Sequence, residues 1–480
     1  MKKLITFLLA IGVLLTFQAC DSFLDVNTDP NAATEVPGDI LFPTVQTTLS
    51  SRTIETGPGT SFHSQLWGPR GSTGVFLNPD RYTISEFTTG NTWSGFYGNA
   101  LRNLTIMIQQ AEEATPPNNN TAAQGKILAA QAYYTLTTLF EDIPFSQANN
   151  AEFENPEFDA QRDVLYGVIE LAQEGVSQLD FDEEVFVGIV EGDLIYGGDL
   201  QNWARFGRSI QLKAYMLLRN GGENVDAEIN ALLAQDLIRQ NSQNAAIAFF
   251  DNDDNANNKW QLMNLFSGGD NVWWAGGAAL VDLMNEYEDP RRATFLDPLT
   301  DSDPPAYAGA LPGTTGGVSP AVVSPVSLNV LQRDWPERLI TASETLLLEA
   351  EFYHRTGNTG AARQALEDGL RASMGFFNGK DGEIPVATQD AFVAQILADF
   401  DSRDNAGQLR MIHEQQYIDL FERGQDGWTQ WRRTKVPELT MPQNAVLGDF
   451  IRRYNYPPAE RNSNPNTPAP LSGDAPMWFE

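Results

Sequence analysis

One cysteine, Cys20, is all that the 480-residue chain contains, so no disulfide can form within it and stability must come from buried apolar surface and internal polar contacts. Histidine is nearly as scarce. With His63, His354 and His413 alone, a histidine-rich metal centre is not expected. Basic side chains are outnumbered, 31 Lys and Arg against 63 Asp and Glu, which leaves a formal charge of −32. Such a surface repels nucleic acid and anionic lipid head groups. Neither a G-x-S-x-G nucleophile elbow nor a phosphate-cradling G-x-x-x-x-G-K-S/T loop occurs. Past the N-terminus, no apolar run reaches the roughly 20 residues that a membrane-spanning helix needs.

What is present begins with an export signal. Lys2 and Lys3 precede an uncharged, mostly apolar run, Leu4 to Phe17, too short to span a bilayer comfortably. Phe17-Gln18-Ala19-Cys20 then sets a small residue immediately before the lone cysteine, as a lipobox does. The expectation is a signal peptide over residues 1–19 and a lipid anchor on Cys20, with acyl chains holding the mature protein to a membrane by roughly 0.8 kcal/mol per buried methylene. Losing the two leader lysines takes the charge from −32 to −34, a device for solubility outside the cell.

Helical patterning dominates the rest. Tyr97, Leu101, Leu104, Ile108 and Ala111 recur at steps of four and three, and Pro116-Pro117 ends that stripe. A second helix is expected from about Thr121 to Phe140, and further stripes follow at Val164, Val168, Leu171, Gly175 and Leu179 and at Trp203, Phe206, Ile210 and Leu217. Within Thr341 to Met374, Ala350, Tyr353, Ala362, Leu366 and Gly369 fall at tetratricopeptide-like packing positions, with Gly357-Asn358 as the turn. The fold class expected is mostly α, an irregular tetratricopeptide-like helical scaffold with long loops and little β structure. One domain, 20–480, would carry its scaffold at about 38–240 and 338–424 and a loop-rich face at about 57–93 and 250–337. Residues 301–336 hold six prolines, a connection of a length that is usually functional or disordered. The Pro- and Asn-rich tail, 441–480, has enough aromatics to pack on the body.

Metal motifs fall short. His413-Glu414-Gln415-Gln416-Tyr417 places a phenol where a zinc protease needs its second imidazole, so it reads as a packing helix. Asp251, Asp253 and Asn255 have calcium-loop spacing, but Ala256 and Leu262 stand where Gly and a bidentate Glu belong. No cofactor is expected beyond a looser structural calcium site in that acidic loop.

Taken in order, several landmarks resemble the SusD/RagB family of lipoproteins from Bacteroidetes-type bacteria. They are Asp21-Ser22-Phe23-Leu24-Asp25-Val26-Asn27-Thr28-Asp29-Pro30-Asn31 after the cysteine; Leu139-Phe140-Glu141-Asp142-Ile143-Pro144-Phe145; Trp203-Ala204-Arg205-Phe206; Asp289-Pro290-Arg291; and Ser343-Glu344 with Glu349-Ala350-Glu351. Tyr417 to Gly424 and Trp428 to Thr434 are similar to the family's last long helix and the turn behind it, while Gln425-Asp426-Gly427 departs from the family's more apolar link. The resemblance implies an outer-membrane, surface-exposed protein that is not an enzyme, binds a glycan or other nutrient, and caps a SusC-like TonB-dependent transporter. Asp21 and Asp25 are similar to the family's surface-routing signals. A surface glycoside hydrolase and a peptide-binding scaffold are the alternatives, since 63 acidic residues neither supply nor exclude a catalytic carboxylate pair.

Sugar rings offer an apolar face to aromatic side chains and hydroxyls to amides, carboxylates and guanidinium groups. Two clusters have that chemistry: Trp67, Arg70 and Tyr82, and Asp270, Asn271, Trp273 and Trp274 between glycine pairs. Adjacent Trp273 and Trp274 point to opposite sides of an extended segment, so at most one faces ligand. Trp93, Trp203, Trp428 and Trp431 read as structural.

Overall fold

The computed structural model describes residues 36–70, 78–252, 255–267, 273–314, 319 and 321–480; the leader, Cys20 and residues 21–31 lie outside them. The N-terminal half is a succession of helices: α1 (Gly38–His63), α2 (Glu86–Ser94), a π-helical turn at Gly95–Leu101, α3 (Arg102–Glu113), α4 (Asn119–Phe140), α5 (Gln161–Gln178), α6 (Leu200–Asn220) and α7 (Asp226–Leu233). Short polar side chains start several of them, because the first backbone N–H groups have no partner inside the helix. Ser85 accepts from Thr88 N, Asn118 from Thr121 N and Asp199 from Asn202 N. Helix α4 is buried almost along its whole length. Two glycines let its neighbours approach: a Cβ on Gly175 of α5 would lie 2.8 Å from the Ile127 side chain, and one on Gly207 of α6 2.6 Å from Val176.

Two small antiparallel ribbons interrupt the second half. Strand β1 (Trp67–Pro69) pairs with β3 (Trp274–Gly276), and β2 (Ala245–Ile247) pairs with β4 (Glu337–Ile340). Around them lie α8 (Asn258–Ser267), α9 (Ala278–Glu286) and the single turn α10 (Arg292–Phe295). Then come α11 (Ala342–Arg355), α12 (Thr359–Gly375), α13 (Val386–Ser402), α14 (Asn405–Asp419), α15 (Gly424–Thr434) and the short α16 (Pro458–Ser463). The mostly helical, strand-poor class expected from the sequence is what is observed. Helices α11 and α12 form the repeat-like pair. Gly357 turns the chain at φ +83°, Asn358 caps α12, and Gly369 admits Leu347 of α11 at 2.9 Å from where a Cβ would sit. Among the described residues two large apolar clusters fill the interior, with a third, small one of Ala275, Ala310 and Val323. One surrounds α4 to α6, the other surrounds α9 and α12 to α14, and α11 serves both, with Leu348 and Phe352 in the first and Leu347 and Ala350 in the second.

Four local features differ from the sequence pattern. Helix α1 extends through residues 57–63, read as the start of a loop, because Gln46, Ser50, Thr60 and Ser61 are buried alongside Leu41, Phe42, Val45 and Leu49 and blur the apolar period. Helix α2 likewise takes up residues 86–93 of that expected loop. The π-helical turn rotates the buried stripe to Phe96, Leu101, Leu104, Met107 and Ala111, leaving Tyr97 and Ile108 half-buried. Residues 428–434 are helix, not turn, since Gln425 and Asp426 in the first turn of α15 are held by Thr135 O (2.9 Å) and Lys213 (2.8 Å).

The tail lies on the body. Tyr454 N donates to Leu139 O at 2.9 Å, Arg453 pairs with Glu141, Trp478 N donates to Glu141 at 2.6 Å, and Phe479 is fully buried. Near it, three distant segments meet: Gly313 N donates to the buried Asp80 carboxylate at 2.6 Å, Gln443 N donates to Pro312 O at 3.2 Å, and Gly313 stands at φ +75° with Gln443 backbone where a Cβ would go.

Two expectations follow from this packing. Gly424 of α15 rests on α1, where a Cβ would come 2.6 Å from Ser61 N, so Gly424→Ala must push the helices apart; it should lose about 1–3 kcal/mol in denaturant unfolding. Burial raises the Asp80 carboxyl from its ordinary 3.8 to about 7. A folded value above the unfolded one means that the native state is penalised as pH rises from about 4 through 7. Asp80→Asn keeps an acceptor for Gly313 and removes the charge, so its melting temperature relative to the parent should increase between pH 5 and pH 8. An unchanged difference across that range would contradict this assignment.

Candidate functional site

The ribbon of β1 and β3 is built on two tryptophans. In its register Trp67 faces Gly276 and Pro69 faces Trp274, which brings the two indoles into a stack at 5.0 Å and 29°. Phe421, just past α14, lies 5.8 Å from Trp67 and stacks in turn on Phe295 at 4.5 Å. Both indoles are closed to solvent, 2% and 1% exposed. Gly277 holds the ribbon against the end of α1, its N–H on Leu66 O at 3.0 Å and the Gln65 carbonyl where a Cβ would be. The Pro-rich connection is bound to the same ribbon: Val326 N donates to Trp274 O at 2.9 Å, Gly276 N to Ser324 O at 3.1 Å, and Ala310 N to Gly276 O at 2.8 Å.

These positions divide the residues singled out from the sequence. Trp67 and Trp274 are pillars of the second core and offer a ligand no ring face. Tyr82 is also buried, 3% exposed, at φ +68° with its ring 5.9 Å from that of His63. Burial rather than exposure explains all three, because each ring's apolar area is worth more inside a core than on a rim. Asp270 and Asn271 lie outside the described residues, as does Asp253 of the acidic loop; Asp251 stands 3.5 Å from Arg333. Arg70 and Trp273 are brought together. Arg70 N donates to Trp273 O at 2.6 Å, one step beyond the ribbon, and both side chains are half-buried. Trp274 lies inside the second core, whereas Trp273, one residue before the strand, is half-buried against its edge.

Further groups complete this end of the ribbon, and sequence reading had not named them. Burial lowers the Arg70 guanidinium and the exposed carboxylate of Asp297 opposes that shift. Asp297 acts also on Tyr307, whose phenol is raised mainly by burial and lowered by Arg292. The Arg292 guanidinium sits 4.7 Å from the Tyr307 ring centre and donates to Asn285 at 2.5 Å. Trp260, on α8, is, like Trp273 and Tyr307, a half-buried aromatic packed on the second core, with Arg333 at 4.8 Å from its ring. Arg292 follows the Asp289-Pro290-Arg291 landmark directly; Tyr307 and Asp297 lie in or beside the Pro-rich connection, with no periodicity to mark them. Half-buried aromatic rings, guanidinium groups, an amide and a carboxylate have the chemistry to stack on a sugar ring and bind its hydroxyls. His413, by contrast, is buried with Nε2 3.3 Å from Glu351, and among the described residues no group of three His, Cys, Asp or Glu is placed to hold a metal.

Comparison with known proteins agrees with this fold. The chain is similar over 92% of its length to a chitin-binding SusD homologue from Flavobacterium johnsoniae (20% identity, 98% of that chain, TM-score 0.74). It is similar over 93% to a SusD homologue from Bacteroides fragilis (22%, 99% of that chain, TM-score 0.73). A SusD/RagB family protein from Bacteroides thetaiotaomicron matches over the same share (19%, 99% of that chain, TM-score 0.74). None of the curated protein sequences matches at a significant level. Among the described residues no helix is long and apolar enough to cross a membrane. The profile of a SusD-like family described as starch-binding and associating with the outer membrane matches residues 30–457, and with nine-tenths of its length so matched the chain belongs to that family.

Proposed function

We propose that this chain is a cell-surface lipoprotein, anchored through Cys20, that captures an oligosaccharide and hands it to a TonB-dependent transporter without breaking a bond. The observation that carries the binding part is the end of the first ribbon, where Arg70 and Trp273 emerge together beside Asp297, Tyr307 and Arg292. Trp273 would offer the ring face, and the guanidinium and carboxylate groups would meet hydroxyls. Support for a glycan comes from the family's starch-binding description and from a chitin-binding neighbour. Support for capture rather than cleavage comes from the family's description as starch-binding and associating with the outer membrane.

The two tryptophans of the ribbon separate binding from folding. In titrations with maltohexaose and chitohexaose, Trp273→Ala should weaken binding about fivefold or more with an unchanged melting temperature, the scale of a lost aromatic contact. Trp67→Ala should instead lower stability by about 3–5 kcal/mol, as emptying a core site does. Equal sugar affinity in Trp273→Ala would move the site elsewhere. For the anchor, Cys20→Ser should abolish labelling by a radioactive fatty acid and release the protein from the membrane fraction, and a chain that stays membrane-bound without the thiol would refute lipidation at that residue.

A further inference from the structure

A sizeable cleft lies away from the ribbon. It has a volume of about 570 Å³ and is walled by α2 and α3, by residues 144–156 and by α16. Three parts of the chain, far apart in sequence, are fastened around it. Trp93 Nε1 donates to Glu460 at 3.2 Å, Tyr97 Oη to Pro144 O at 2.7 Å, Asn464 Nδ2 to Pro156 O at 2.9 Å and Asn466 Nδ2 to Asn155 O at 2.8 Å. A side-chain donor supplies each of these bonds, so the opening is a preformed feature with fixed walls and has the volume of a small-ligand site.

Its lining has a definite chemistry. Phe153 lines it with 41% of its surface open, and Tyr97 lines it half-buried. Gln109, Asn155, Arg102 and Glu154 are exposed around the cleft and Glu460 lines it half-buried, so amides, one cation and two carboxylates face the same space. Both Glu460 oxygens already accept bonds, from Trp93 Nε1 and Asn464 Nδ2, which leaves Arg102 and Glu154 as the exposed charges and favours neither an anionic nor a cationic ligand. Amide groups both donate and accept, as hydroxyl groups demand. The walls are helices and an irregular segment, with no strand edge on which an extended peptide could add.

We infer that this cleft is a second carbohydrate site, binding a neutral oligosaccharide of a few rings independently of the ribbon end. The choice of a glycan as occupant rests on the reading above; the existence of the site does not depend on the ribbon. Two separated sites on one anchored protein would hold a long chain at two points, and the second contact is then intramolecular.

Hydrogen–deuterium exchange of the full mature chain with maltohexaose and with chitohexaose tests this. Slowed exchange in residues 144–156 and 458–464, reversed by Phe153→Ala with about a fivefold loss of affinity at that site, is the expected result. The ring of Phe153 is open to solvent, so its removal leaves the fold intact, and a melting curve checks this. Protection confined to segments 67–70 and 273–276 would overturn the second site and leave the ribbon reading standing. Protection confined to the cleft would support the second site and remove the ribbon from the binding function. No protection in either place with both sugars would overturn the cleft proposal together with the choice of a glycan.

Discussion

The Glu351 carboxylate is where the scaffold is locked. It is inaccessible on α11, yet Arg433 of α15 grips both oxygens at 2.5 and 2.6 Å, Arg355 adds a contact at 2.9 Å, and Gln416 of α14 donates at 3.0 Å. Burial alone would favour the protonated acid, but the cations outweigh it and hold Glu351 well below the usual carboxylate range. A parallel network stands two turns away on α11, where Glu344 meets Arg423 at 2.5 Å and Lys213 of α6 at 3.0 Å, while Asp426 meets Lys213 at 2.8 Å. Replacing such pairs by apolar groups can be neutral, but removing one partner strands a charge at about 3–5 kcal/mol, so they fix position more than they add stability. Helices α6, α11, α14 and α15 therefore have one permitted arrangement. Phe421, which leaves α14 between these networks, is thereby set under Trp67 and Phe295, and the ribbon end inherits its placement from buried charges some distance away.

A second constraint joins α15 to the tail. Arg432 is fully buried and, among the described residues, no carboxylate forms an ion pair with it; it donates to Thr138 O and Arg452 O at 2.7 Å each and lies 3.9 Å from the Trp428 ring centre. Burial brings it down to about 10. Carbonyls from the last turn of α4 are a natural seat for a cation, since the helix dipole is negative there. His63 sits 5.1 Å from the same Trp428, and burial with the nearby Arg432 charge lowers it to about 3, keeping the imidazole neutral. A neutral His63 and a charged Arg432 thus share one aromatic wall.

Much of the fold was legible in the sequence because its landmarks are these buried polar groups. Glu344, Glu349, Glu351, Asp289, Arg291, Arg423 and Arg433 recur in recognisable strings because each needs a partner of fixed type and place, as Arg291 does with Asp289, Gln415 and Ser373. Helix pairs such as α11 and α12 were readable from period and turn. Helix α1 was not, since its buried face mixes Gln46 and Ser50 with Phe42 and Val45. The site was only partly legible. Composition marks aromatic residues near amides and charges, but a buried pillar and an open platform have the same composition, and only the register separates Trp274 from Trp273. Tyr307 and Asp297 reach the site through backbone pairing of the Pro-rich connection, which leaves no periodic trace.

The construction of the ribbon end also bounds what it can do as a binding surface. Arg70 already has Asp297 as a counter-charge and Arg292 already has Asn285 and the Tyr307 ring, so a hydroxyl that binds there competes with existing contacts rather than filling bare ones. Net gain per hydrogen bond is then small. Most discrimination must come from the ring face and from the shape of the rim, and modest affinity on a rigid platform lets a captured sugar leave again. For a protein whose proposed task is to pass its ligand on, tighter and less satisfied polar groups would hold the sugar at the surface and slow its delivery.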